Sequence, residues 1–218
     1  MPKGHELRNI AERQPEEEHT NIILEICFIG MLSYFEAFCK DQFAALINIC
    51  PQLITQFKKN GHETNIDASA FILLEYPSPN SIGFLIAEQR DFGTAKNINA
   101  LYYSLLSITP FSKDERKHFD QLLHIRNLLV HHGGIITSHY TGQLSIVKPL
   151  QRRTFFDSII ITRKQFLSEV SFLEQIAFKI VKITQETLQE FIDRQNISQS
   201  EENKKALDLA GSWIEGFE

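Results

Sequence analysis

The sequence has no Gly-rich phosphate loop, no His-Glu-x-x-His, no Gly-x-Ser-x-Gly and no closely paired cysteines. The common signatures of phosphate-cradling loops, zinc hydrolases, serine hydrolases and paired-thiol sites are therefore missing. Cysteine is scarce: Cys27, Cys39 and Cys50 are odd in number, widely spaced and set in apolar segments. This excludes a disulfide framework and suits buried free thiols in a reducing compartment. Uninterrupted apolar runs are also lacking. The most apolar stretch, Ile22 to Phe38, is broken by Glu25 and Glu36, short of the roughly 18 uncharged residues of a membrane span, and is read as a core helix. The opening Met1-Pro2-Lys3-Gly4-His5-Glu6 leads to Glu16-Glu17-Glu18, which resembles neither a signal nor a transit peptide. A cytoplasmic location without membrane contact is the expectation, and the Asn196-Ile197-Ser198 acceptor pattern is then coincidental. Positive charge is not in excess: 22 Lys and Arg face 27 Asp and Glu, a net charge of −5. A broadly basic nucleic-acid-coating surface is excluded, while a small cationic cleft is not. His124, His131 and His132 have no carboxylate or thiol at a recognised ligand spacing, so neither a metal nor another cofactor is expected.

What is present is an ordinary globular balance. The 218 residues are 43% hydrophobic and 22% charged, with seventeen Phe as bulky core material, enough for one domain with elaborations. The first fifteen residues are polar and expected to be loosely ordered. Apolar residues at helical spacing from Glu16 to Asn48 predict one long helix or two abutting ones. Shorter helices are predicted over Pro51 to Asn60 with Gly61 as stop, Ile66 to Tyr76, Ser81 to Gln89, and Thr94 to Ser107 with Thr94 as N-cap. Ser112-Lys113-Asp114-Glu115 fits a capping box, and the helix it opens is expected to stop at Gly133-Gly134. Leu144 to Val147 and Phe155 to Ile161 change the period and predict a β-hairpin over about 142–162. A last long helix is predicted from Arg163 to Arg194, followed by a tail from 198 to 218. The expected fold is mainly α: a helical bundle over 16–197 with a small β-hairpin insertion.

The chemically informative run is His124-Ile125-Arg126-Asn127-Leu128-Leu129-Val130-His131-His132-Gly133-Gly134. On a helix, Arg126 has Leu122 and Leu123 one turn before it and Leu129 and Val130 one turn after, so it interrupts an apolar stripe. A guanidinium there must be paired, or must line a cleft or a subunit interface, because burying it alone is costly. Asn127 and His131 lie about 40° apart around a helix, Arg126 and His131 about 140°. Arg126 must reach around the helix, or the last turn must loosen at the double glycine.

This run resembles the HEPN superfamily, helical proteins whose signature is Arg, four to six residues, then His, often with a polar residue after the Arg. The match is Arg126, Asn127 and His131, with His132 also satisfying the spacing, set between a capping box and a Gly-Gly stop. A second Arg-to-His spacing, Arg13 to His19, contains Pro15 and three Glu and cannot present a cationic helical face. The resemblance covers about Ser112 to Gly134 and is closer in length to the larger stand-alone branches. Where members paired with a nucleotidyltransferase antitoxin often carry Tyr two residues after the His, this chain has Gly133.

The resemblance implies metal-independent endoribonucleolytic cleavage, a homodimer in which two copies of the motif face one cleft, and a defence or toxin-like role with an antitoxin or defence-system partner. The residues suit that chemistry. RNA carries its own nucleophile in the 2′-hydroxyl. Histidine can move protons near neutral pH, arginine offers permanent charge and planar donors to phosphate, and Asn127 can orient either. Arg152, Arg153 and Lys164 are candidates to hold the RNA backbone. Other readings stand beside this one. Arg126 can serve as a structural ion pair, with Glu36 as partner, and His131 as a helix-terminal residue favoured by the dipole. The domain can also be an inactive HEPN-type RNA-binding or dimerisation module, or an unrelated helical protein.

Overall fold

The computed structural model describes residues 2–16, 21–66, 69, 82–137 and 158–207. Its named elements are all helices: α1 (Pro2–Glu12), α2 (Ile22–Ile49), α3 (Leu53–Lys59), α4 (Ile82–Glu88), α5 (Ala95–Leu106), α6 (Lys113–His132) and α7 (Arg163–Gln195). Residues 201–207 are also helical. Among the described residues the only β pairing is an isolated antiparallel bridge between Ile135 and Ser158. The expected hairpin lies largely outside the described residues, and the part that is described, 158–162, forms no strand beyond the Ser158 bridge. The helix predicted from Ile66 to Tyr76 likewise lies almost wholly outside them.

The chain divides into two compact units, Met1–Glu36 with Ser112–Glu174, and Ala37–Phe111 with Gln175–Glu218. The sequence predicts one domain with elaborations; two of the three boundaries between the units fall within the long helices α2 and α7, and the third lies between α5 and α6.

In the first unit, most of the N-terminal stretch expected to be loosely ordered forms α1. Ala11 is fully buried, and Arg8 donates to the Glu174 carboxylate at 3.0 Å and to Ser171 Oγ at 3.3 Å. Arg163 fastens the following residues, donating to the carbonyl of Gln14 at 3.1 Å and pairing with Glu16 at 3.3 Å. The ordering of this polar segment comes from partners more than a hundred residues away, which local composition does not register. Asn21 caps α2 by accepting from the amides of Ile23 and Leu24. Leu24, Phe28 and Phe35 point α2 into the core, while Ile22 and Ile26 are 70% and 61% exposed. By length and composition alone α2 is apolar enough to cross a membrane.

In the second unit, Phe43 sits at the centre of an aromatic cluster, with ring centroids 5.5 Å from Phe57, 5.5 Å from Phe92 and 5.9 Å from Tyr102 in edge-on arrangements favoured by the ring quadrupoles. Tyr102 is fully buried, and its hydroxyl donates to the Cys39 carbonyl at 2.9 Å, which satisfies the polar end of a core side chain. The neighbouring Tyr103 is 57% exposed. Thr94 caps α5 by accepting from the Asn97 amide, as the sequence predicts. All three cysteines are buried free thiols, and burial pushes the Cys27 and Cys50 thiols up from their ordinary titration range, keeping them protonated and unreactive.

Candidate functional site

Helix α6 is defined at both ends by its own sequence. Ser112 Oγ accepts from the Glu115 amide at 3.3 Å and the Glu115 carboxylate accepts from the Ser112 amide at 2.6 Å, the reciprocal capping box that fixes the first turn. At the other end Gly133 and Gly134 take φ of 56° and 78°, a left-handed pair that glycine adopts without the Cβ penalty. The Gly134 amide returns to the Leu128 carbonyl at 3.0 Å, and the Gly134 carbonyl accepts from Ile159 at 2.8 Å. The end of α6 is thereby tied to the segment leading into α7.

The buried face of α6 is Phe119, Leu122, Ile125, Leu128 and Leu129, with the Phe119 ring 5.4 Å from Phe35 of α2. This corrects the stripe read from sequence. Leu123 is half-buried and Val130 is 48% exposed, so Arg126 does not interrupt the core stripe; it lies on the flank beside it. Arg126 and Asn127 are both half-buried, and His131 is exposed in the last turn. The guanidinium Nη1 donates to Asn127 Oδ1 at 3.0 Å. That bond draws Arg126 around the helix toward Asn127, the residue one turn before His131. The angular gap is narrowed in this way, without any loosening of the last turn, since α6 remains helical through His132.

Among the described residues Arg126 has no carboxylate partner, and the Glu36 pairing is not formed. Arg126 and Asn127 together leave guanidinium N–H groups and the carboxamide NH2 as donors on the flank of α6, a set suited to an anion. His132 is exposed and has an interaction of its own. Arg152 and Arg153 lie outside the described residues. Lys164 is exposed at the start of α7, where its backbone amide donates to the Glu16 carboxylate at 3.2 Å; nothing brings it together with Arg126. Among the described residues no group of three or more His, Cys, Asp and Glu side chains is gathered as a metal-binding set.

One titratable pair escaped the sequence reading. His118 Nε2 lies 2.6 Å from the Glu169 carboxylate, and the Phe172 ring stands edge-on to the imidazole at 4.5 Å. Glu169 is buried at 8% exposure, and His118 is the partner its side chain has there. The hydrogen bond that the imidazole donates to Glu169 raises the His118 titration above its ordinary 6.5, burial opposing it and the carboxylate charge and Gln121 adding to it. The two residues are 51 positions apart, and no local signal links them. Because the folded-state value is raised above the unfolded one, the pair stabilises the fold fully below about pH 6.5 and less as pH climbs through the raised value. The difference in Tm between the native protein and His118→Gln is therefore expected to be largest in mild acid and to shrink toward pH 8. A difference that grows with pH would contradict a charged pair.

No family model, no curated protein and no solved structure matches the chain.

Proposed function

We propose that this protein is a metal-independent endoribonuclease of HEPN type, acting as a homodimer. The observation that supports this reading best is the Arg126–Asn127 hydrogen bond, which holds a guanidinium without a carboxylate partner among the described residues one turn from the exposed His131. In the proposed reaction the 2′-oxygen attacks phosphorus as His131 takes its proton. The P–O5′ bond breaks, and the departing 5′-oxygen is protonated by a second histidine, that of the other copy. The products are a 2′,3′-cyclic phosphate and a free 5′-hydroxyl. Arg126 stabilises the charge gathering on the non-bridging oxygens, and Asn127 keeps the guanidinium aimed. A defence or toxin-like setting, with an antitoxin or similar partner, is proposed from the HEPN resemblance.

A second reading is an inactive HEPN-type module for RNA binding or dimerisation. The exposed Val130 and Ile135, 48% and 43% accessible beside the motif, favour it, because apolar side chains flanking a catalytic groove suit a protein interface equally well. Incubation with mixed RNA and with DNA in EDTA separates the two. The nuclease degrades RNA in chelator and spares DNA; the module dimerises and leaves RNA intact. Chelator-sensitive cleavage with 5′-phosphate products would instead require a metal-activated water.

A further inference from the structure

The solvent face of α6 has a regularity separate from the Arg126 motif. Lys113, Lys117, Asp120, His124, Asn127 and His131 succeed one another in alternating steps of four and three residues, which keeps them on one side of a 3.6-residue helix. Arg116 flanks the first turn of this line. Lys113, Arg116 and Lys117 are exposed, and among the described residues none has an ion-pair partner, although Asp114 and Asp120 share the helix. Together with Asp114, Asp120, Gln121 and His124 these side chains line an open depression of about 600 Å³, in which the three cations outnumber the two carboxylates. Asp114 stands in the first turn, where the positive end of the helix dipole offsets part of its charge.

We infer that the strand being cleaved runs along this face, its phosphates held by Lys113, Arg116 and Lys117 and its scissile linkage delivered to Asn127 and His131. The inference rests on the ribonuclease reading and replaces Arg152, Arg153 and Lys164 as the main backbone contacts. Lys113 to His131 is eighteen rises of the helix, about 27 Å along the axis, long enough for several nucleotides. Exposed, unpaired cations on a rigid helix bind a polyanion through counterion release, so their contribution is legible in the salt dependence of binding. The Asp120 carboxylate, midway along the line, repels the same backbone.

The test measures binding apart from cleavage, with the full-length protein and a short 2′-O-methyl oligoribonucleotide that lacks the 2′-hydroxyl nucleophile. Combined Lys113→Glu, Arg116→Glu and Lys117→Glu substitution is expected to weaken binding by at least about tenfold and to lower the slope of log affinity against log salt by about 2, the value for three lost contacts on a single strand. Combined Lys58→Glu, Lys59→Glu and Lys96→Glu, which changes net charge equally at exposed positions elsewhere, is expected to leave the slope unchanged. Glutamine at the same three α6 positions guards against misfolding of the reversed variant and should lower the slope by a similar amount. Asp120→Asn should tighten binding. An unaltered slope in the α6 variants, an equal loss in the control set, or no binding by the native protein would overturn the inference. Cleavage of ribose RNA with binding indifferent to the α6 variants removes this inference alone. Binding that follows the α6 face without cleavage keeps the phosphate contacts of Lys113, Arg116 and Lys117 but removes the ribonuclease reading, and with it the delivery of a scissile linkage.

Discussion

His131→Ala is expected to slow RNA cleavage by about 100-fold or more, the usual contribution of a positioned proton-transfer group. Arg126→Ala is expected to cost a comparable factor, because a charge on the equatorial oxygens goes uncompensated. Neither side chain lies in the core: His131 is exposed, Arg126 is half-buried, and the buried face of α6 is formed by other residues. Both variants should therefore keep helix content and stay within about 0.5 kcal/mol of native stability, as surface substitutions do. Asn127 gives the assignment a finer test. Asn127→Asp would place a carboxylate beside the guanidinium that now donates to the Asn127 oxygen at 3.0 Å, neutralising it toward phosphate. Asn127→Ala merely frees it. The aspartate is expected to be the more damaging change, although it is the closer in shape. Rates per folded molecule and circular dichroism together decide the matter; loss of folding with undiminished specific activity would remove both residues from the mechanism.

The largest effect on stability is expected at Gly83. A Cβ there would lie 2.1 Å from the Ala44 carbonyl oxygen and 2.6 Å from Asn48 Oδ1, and the Gly83 amide donates to that same Asn48 oxygen at 2.7 Å. Backbone cannot yield as a flexible side-chain tip does, so α4 must shift away from α2 and strain or lose the hydrogen bond. Overpacking of this kind costs about 3 kcal/mol or more, against a gain of about 1 kcal/mol in helix propensity for Gly→Ala. The net is a loss of about 2 kcal/mol, or some 4–8 °C in Tm for a chain of this size. Gly30 is the contrast. A Cβ at that position meets only the Leu7 side chain, at 3.4 Å, so propensity dominates and Gly30→Ala should raise Tm slightly. If the two substitutions behaved alike, the close approach of α4 to α2 would be in error.

Features encoded within a few residues were legible. The Ser112–Glu115 capping box, the Thr94 cap, the left-handed Gly61 and the Gly133-Gly134 stop follow from local hydrogen bonding and backbone freedom, which sequence states directly. The rotation of α6 was not legible. Its apolar residues at 119, 122, 123, 125, 128, 129 and 130 fill two adjoining faces, and only packing such as that of Phe35 on Phe119 selects the one that buries Ile125 and Leu128. The reading of Arg126 as an intruder in the core stripe came from choosing the other. Order in α1 and the His118–Glu169 pair depend on residues remote in sequence, and no periodicity within either segment reports them. The sequence did bring Arg126, Asn127 and His131 forward as a group, but the hydrogen bond that turns Arg126 toward Asn127 is a matter of side-chain geometry.

The most direct test of the central claim uses a DNA strand carrying a single ribonucleotide, incubated in EDTA with the native protein and with His131→Ala. With one 2′-hydroxyl available, the native protein should cut only on the 3′ side of that ribonucleotide and leave a 2′,3′-cyclic phosphate, while the variant leaves the strand whole. Cutting at other positions, 5′-phosphate ends, or equal cutting by His131→Ala would contradict RNA cleavage by the α6 site.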